Sequence, residues 1–410
     1  MTAEISIMNK QGIVLAADSA VTLSQSNGSQ KAYNSANKLF TLGHKHSVGI
    51  MIYGNAEFMG VHWEIIIKEF RRTIGRSELR NLEEYSGKFV EFIHNQEFLN
   101  NSEVCYAEIF NLIRRLLNAI LQRSENQVNQ SISHNHTISE IELKERLLNI
   151  IRRDNSTLEQ ERVIFEFTKE EFKLHFFEHI KRLIDSNVFI GEYVKEIYDP
   201  FFDLAYLAVI SRNNLSSPSG VVIAGYGRED IFPSNICFEF EFRRDGKVKF
   251  FEKERNQISQ FSNASISPFA QGDMILTVLR GADPFYDSKI MTLIKDNGKL
   301  GEADKSSLLQ ELSDFQRLNF IDPILQTTSI LPVDELAVMA DTLVNLTSFK
   351  RHFTNSVETV GGPIDVLVIT KGDGPVWVKR KQYFDIRDNI DFKLRKAVMY
   401  HDNGNYEHGI

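Results

Sequence analysis

Cysteine is nearly absent: the 410 residues contain only Cys105 and Cys237, far apart and without a CxxC spacing. That argues against a disulfide framework or a cysteine zinc site and suits a reducing cytoplasm, the expected location. Long apolar runs are missing too. No stretch approaches the roughly 18 residues a membrane-spanning helix needs, and no charged segment followed by an apolar one opens the chain as a secretion signal would. A basic excess is also lacking. With 47 Lys and Arg against 55 Asp and Glu, the net charge is −8, so neither a nucleic acid nor a membrane surface is an expected partner. What remains is 42% hydrophobic and 25% charged, the composition of an ordinary globular protein long enough for a sizeable core.

The most informative residue stands second. A small side chain after Met1 favours removal of the initiator, which would leave Thr2 with both a hydroxyl and a free α-amine. Such a residue can serve as nucleophile and base together, the hydroxyl attacking a carbonyl while the amine takes the proton. No processed leader is then needed.

Two hairpins follow. Ala3–Met8 and Gly12–Ala17 are apolar runs around Asn9-Lys10-Gln11, and Lys38–Leu42 and Ser47–Tyr53 repeat the pattern around Gly43–His46. His44 and His46 read as a solvated turn. From Gly54 the period changes, with Met59, Trp63, Ile66, Ile67 and Phe70 forming a helical stripe. Residues 71–200 have helical periods and no strong strand. Ser124–His136 reads as a mobile polar loop, and the capping boxes at Thr137–Glu140 and Thr168–Glu171 restart helices behind it. Strand character returns at Gly220–Gly225 and Ile236–Phe242. Ser265–Ala270 is expected to open a helix, Ala282–Ile330 to be polar and helical, Pro332–Phe353 to be a helix, and Ile364–Thr370 to be a strand paired with Pro375–Val378.

One stretch suggests different chemistry. His175-Phe-Phe-Glu178-His179 matches H-x-x-E-H, which on a helix puts both histidines on one face with Glu178 beside them. Zinc would need a third ligand, and the downstream acids Glu239, Glu241, Glu252 and Glu254 lie in strand or loop sequence. The alternative is an amphipathic helix with Phe172, Phe176, Ile180 and Leu183 packed inward.

Taken in order, five segments resemble the N-terminal-nucleophile (Ntn) hydrolases, specifically proteasome β-subunits and their bacterial ring-protease relatives. Gly12–Ser19 is similar to that family's strand ending in an acidic residue, and the sixteen-residue interval from Thr2 to Asp18 matches its spacing. Lys38-Leu39-Phe40 resembles its lysine followed by two apolar residues. Ile52-Tyr53-Gly54-Asn55-Ala56 resembles its strand-end glycine, Ala264–Phe269 its serine loop, and Gly361–Val366 its closing glycine pair and strand. The Asp and Ser that the family carries just before that pair are replaced by Val357 and Val360, with Glu358 and Thr359 the polar neighbours.

The resemblance implies an α+β fold, a four-layer αββα sandwich with a large helical insertion. Core segments would be 1–70, 205–281 and 332–380, insertions 71–204 and 282–331, and 381–410 a polar tail. It implies Thr2 as nucleophile, Lys38 assisting proton transfer, Asp18 orienting Lys38, Gly54 N–H as oxyanion hole and Ser265 holding the Thr2 amine. No cofactor or metal enters. Peptides or unfolded chains would be substrates, the assembly a homo-oligomer or ring, and an ATPase or adaptor the partner. An inactive Ntn-fold scaffold is the alternative function, and a zinc protease built on His175, Glu178 and His179 a further one.

Overall fold

The computed structural model describes residues 2–24, 30–43, 45–132, 140–187, 194–213, 218–353, 361–382, 384–385, 387–391 and 394. In chain order the first strands are β1 (Ala3–Asn9), β2 (Ile13–Ala17), β3 (Val21–Ser24), β4 (Gln30–Tyr33), β5 (Leu39–Thr41), β6 (Val48–Gly54), β7 (Glu57–Phe58) and β8 (Val61–His62). The later ones are β9 (Ser219–Gly225), β10 (Ser234–Arg244), β11 (Lys247–Gln257), β12 (Ala264–Ala270), β13 (Asp365–Thr370) and β14 (Gly374–Lys379). Between the two groups lie α1 (Trp63–Ile74), α2 (Leu82–Asn95), α3 (Ser102–Ile132), α4 (Glu140–Leu158), α5 (Lys169–Asp185) and α6 (Val194–Ile210). After β12 come α7 (Asp273–Arg280), α8 (Pro284–Lys295), α9 (Glu302–Gln316), α10 (Asp322–Ile330) and α11 (Val333–His352).

The chain is therefore a mixed α+β protein with two five-stranded antiparallel sheets, ordered β12-β1-β2-β13-β14 and β11-β10-β9-β6-β5. Strand periodicity explains the packing. Successive residues of β1 point to opposite faces, so Ala3, Ile5 and Ile7 join α7 and α11 in one apolar cluster with Val14, Ile275 and Leu336. The alternate residues face the other sheet: Met8 packs with Leu15, Met51, Val222 and Leu367, and Ser6 Oγ accepts a hydrogen bond from Asn235 of β10 at 3.0 Å. The outer face of the second sheet carries a third cluster, in which Val221 and Phe240 meet Trp63, Phe89, Phe172 and Phe201 of the helices. The helices between α1 and β9 thus share one core with the sheet instead of forming a separate body.

Several expectations are corrected. Ser124–His136 is not a loop as far as it is described: α3 continues to Ile132, because the packed turns before it nucleate the helix and Glu125, Gln127 and Gln130, which have good helix propensity, help to extend it. Ser265–Ala270 forms strand, not helix. Its Pro268 is tolerated because β12 is an edge strand, where a missing N–H leaves no ladder bond unmade. Met59 belongs to the turn between β7 and β8 (φ +53), and α1 begins at Trp63. His46 is buried, its ring bonded to Tyr85 Oη at 2.8 Å and the Gly75 carbonyl at 3.0 Å; Thr137 and His44 lie outside the described residues. The Thr168 capping box is present, with Thr168 Oγ accepting the Glu171 N–H at 3.2 Å.

Candidate active site

The alternation that sends Ser6 and Met8 between the sheets sends Glu4 and Thr2 to the same side, at the end of the intersheet space. Glu4 is fully buried and Thr2 is 4% exposed. Thr2 Oγ donates to Glu4 Oε2 at 3.0 Å. Lys38, at the entry to β5, sets its Nζ 2.5 Å from Asp18 Oδ1 and 3.2 Å from Glu4 Oε1. One lysine is thus shared by two buried acids, and the second acid holds the Thr2 hydroxyl.

Asp18 is the structural hub. Its Oδ1 also accepts the Ala3 N–H at 3.0 Å, and its Oδ2 accepts those of Ala20 at 3.2 Å and Gly361 at 3.0 Å. It therefore ties together β1, the end of β2 and the approach to β13, which is why its spacing from Thr2 matters. Burial pushes the Glu4 carboxyl up from 4.5 to about 7. Lys38 opposes that rise, Asp18 adds to it, and the Thr2 hydrogen bond opposes it again.

Gly54 ends β6 with φ +79, and a Cβ there would lie 2.5 Å from the Pro218 carbonyl oxygen. Only glycine fits this turn without strain. Ile52 N donates to Lys38 O at 2.9 Å, so strand alternation turns the Gly54 N–H toward the same edge, past the start of β5. A cavity of about 380 Å³ opens there, lined by Thr2, Lys38 and Gly54 together with Tyr33, Ile52 and Tyr53. Gly54→Ala is expected to lower stability by about 1–3 kcal/mol, measured as a shifted denaturant midpoint; an unchanged midpoint would mean the turn relaxes freely.

No protein-family model matches the chain, and no curated protein matches it significantly. The site stands on its own geometry.

Thr2, Asp18, Lys38 and Gly54 come together as expected, but Ser265 does not join them. It pairs with Met8 across the β1–β12 ladder, whereas Ala270, at the other end of β12, pairs with Ala3. Because β12 runs antiparallel to β1, its last residues approach Thr2 and its first are remote. Gln271 is the residue of that segment that reaches Thr2: its N–H donates to Thr2 O at 3.0 Å, its side-chain amide is buried with no partner among the described residues, and Ala270 before it has φ +55. A non-glycine residue in that region stores strain of the kind found at binding sites. Glu4 was missed by sequence reasoning, although its place two residues after Thr2 in an apolar strand was a readable sign. Met1 and the segment holding Val357, Glu358, Thr359 and Val360 lie outside the described residues.

The zinc motif does not assemble a ligand set. His175, Glu178 and His179 lie on the exposed side of α5, Glu178 pairs with Lys181 at 2.8 Å, and Phe172, Phe176, Ile180 and Ile184 form the buried side. Among the described residues no group of three or more His, Cys, Asp or Glu side chains is placed to hold a metal ion.

Proposed function

We propose that this chain is an Ntn-type threonine hydrolase that cleaves amide bonds through Thr2, built as a four-layer αββα sandwich. The observation that carries it is the Thr2–Glu4–Lys38–Asp18 cluster beside Gly54 at one cavity. The core clusters between the sheets and on both outer faces support the four-layer assignment.

In the proposed reaction Thr2 Oγ bonds to the scissile carbonyl carbon and gives up its proton to a neighbouring base. Two bases are in place: the Thr2 α-amine once Met1 has left, with a reference pKa of about 7.7–8.0, and Glu4, already hydrogen-bonded to the hydroxyl. The carbonyl oxygen turns toward the Gly54 N–H, a contribution of roughly 3–4 kcal/mol in comparable oxyanion holes. The positive charge of Lys38 favours the ionised Glu4 that accepts the proton and, from the cavity wall, the negatively charged tetrahedral intermediate. Collapse of the tetrahedral intermediate expels the amine, which takes the proton, and water then attacks the Thr2 ester to release the acid. The apolar walls around Tyr33 and Ile52 suit an apolar substrate side chain, in a peptide or unfolded chain.

Intact-mass spectrometry of the purified protein after exposure to a threonine-directed electrophile tests this directly. A single adduct on a chain lacking Met1 is expected; no adduct on such a chain would overturn the assignment.

Homo-oligomeric assembly, and delivery of substrate by an ATP-driven partner, belong to the same proposal. Among the described residues helices α8 and α9 have no fully buried side chain, and Phe285, Leu293 and Phe315 on them and Leu318 just after are exposed. Exposed apolar side chains of this kind support association with further copies of the chain. Light scattering is expected to return a multiple of the chain mass, and a strictly monomeric mass at micromolar concentration would refute the assembly.

A further inference from the structure

A second cavity of about 280 Å³ lies among the helices on the outer face of the second sheet, sharing no lining residue with the Thr2 cavity. Its floor is buried and holds an unusual group. Arg243, near the end of β10, is 5% exposed, and its Nη2 donates to the His94 carbonyl at 2.9 Å. Its Nε and Nη1 have no hydrogen-bond partner among the described residues. Tyr106, from α3, lines the same cavity, and its hydroxyl is likewise buried with no partner among the described residues. Leaving donors of this kind unmade inside a protein is costly, most of all on a cation.

The surroundings narrow the chemistry. Arg244, also in the wall, is already balanced by Asp245 at 3.4 Å and Glu171 at 3.8 Å, and its guanidinium lies 4.0 Å from the Phe167 ring centre. Arg243 forms no ion pair among the described residues; burial lowers its pKa, and the charge of Glu97 opposes that. Arg243 is therefore the one arginine of the wall without a paired acid among the described residues. The N-terminus of α3 adds partial positive charge, since Ser102 is at the mouth, where Asn101 takes the N–H groups of Val104 and Cys105. One side of the lining is apolar, made by Ile109, Phe167 and Phe176, with Tyr106 stacked on Phe176 at 4.8 Å. Cys105 contributes no reactive thiolate, because burial pushes its thiol up to about 12. The mouth is open, formed by the exposed residues Asn100, Ser102, His175 and Asp245.

We propose that this cavity binds a small monocarboxylate with an apolar body, its oxygens meeting Arg243 and Tyr106 and its hydrocarbon part resting on Phe167 and Phe176. A single carboxylate matches the single free cation, and charge-assisted bonds to arginine are the strong ones. A dianionic phosphate would exceed the available charge and leave the aromatic walls unfilled.

Benzoate is a suitable probe, titrated into the full chain and followed by saturation-transfer NMR and calorimetry. Saturable binding is expected in the millimolar range or tighter, with Arg243→Met weakening it roughly tenfold or more and Tyr106→Phe about threefold. Thr2→Ala should leave it unchanged, because the two cavities are separate. Neutral benzamide and inorganic phosphate should bind much more weakly. Absence of saturable benzoate binding, or equal binding by benzamide or by Arg243→Met, would mean that water alone satisfies these donors and would overturn the site. Phosphate binding in preference to benzoate would overturn the ligand class. If Arg243→Met does not fold, the loss in Tyr106→Phe, which removes one buried hydroxyl and no charge, decides.

Discussion

Thr2→Ala is expected to abolish amide cleavage, lowering turnover on the order of 10,000-fold or more while leaving fold and assembly in place. The size follows from the role: without Oγ there is no atom to form the ester, and the Gly54 N–H and Lys38 have no intermediate to stabilise. Electrophile labelling should vanish with activity. Thr2→Ser should restore part of both, since the attacking oxygen returns without the methyl group that fixes its direction. The fold control matters because Thr2 Oγ is also a hydrogen-bond donor to a buried carboxyl. Circular dichroism and a denaturant midpoint would show whether the variant keeps its structure. Undiminished cleavage by a folded Thr2→Ala protein would rule out the mechanism.

Glu4→Gln carries the second large effect, on both pH dependence and stability. If Glu4 takes the Thr2 proton, only its ionised form is competent. The turnover rate should therefore climb as pH rises through about 7 and then level off. Glutamine keeps the shape and accepts the hydroxyl hydrogen bond but cannot take the proton, so turnover should fall about 100- to 1,000-fold and the rise near pH 7 should disappear. A Glu4→Gln protein with the wild-type profile would leave the α-amine as the base. Stability gives an independent measure. Burial raises the folded-state value from 4.5 to about 7, so the folded protein binds this proton more tightly than the unfolded chain does. The resulting stabilisation is fully present below pH 4.5 and is lost as pH rises through about 7, a change of about 3 kcal/mol. Glu4→Gln should remove this contribution to the slope of unfolding free energy between pH 4.5 and 7. A slope identical to wild type would show that Glu4 is not titrating there.

The candidate site was legible wherever it depended on local spacing. Asp18 follows the β1–β2 hairpin at a fixed distance from Thr2, so a two-strand count suffices to bring it near. Lys38 and Gly54 mark strand ends readable from apolar runs and a period change. Ser265 was misplaced because its position depends on the direction of β12, a strand more than 250 residues away in sequence. Pairing across that distance is set by the packed sheet and not by neighbouring residues, so Gln271 could not be chosen over Ser265 beforehand.

By itself the sequence determined the alternation of β1, the turn at Asn9, the glycine at 54 and the helical character of most of 71–204, because period and backbone preference are local. Only the tertiary structure decided that Glu4 shares Lys38 with Asp18, that Gln271 reaches Thr2, and that Arg243 and Tyr106 line one cavity. Each of these depends on how separate strands and helices pack. Their chemistry comes from burial, which turns an ordinary glutamate into one poised near neutrality and leaves an ordinary arginine short of a partner.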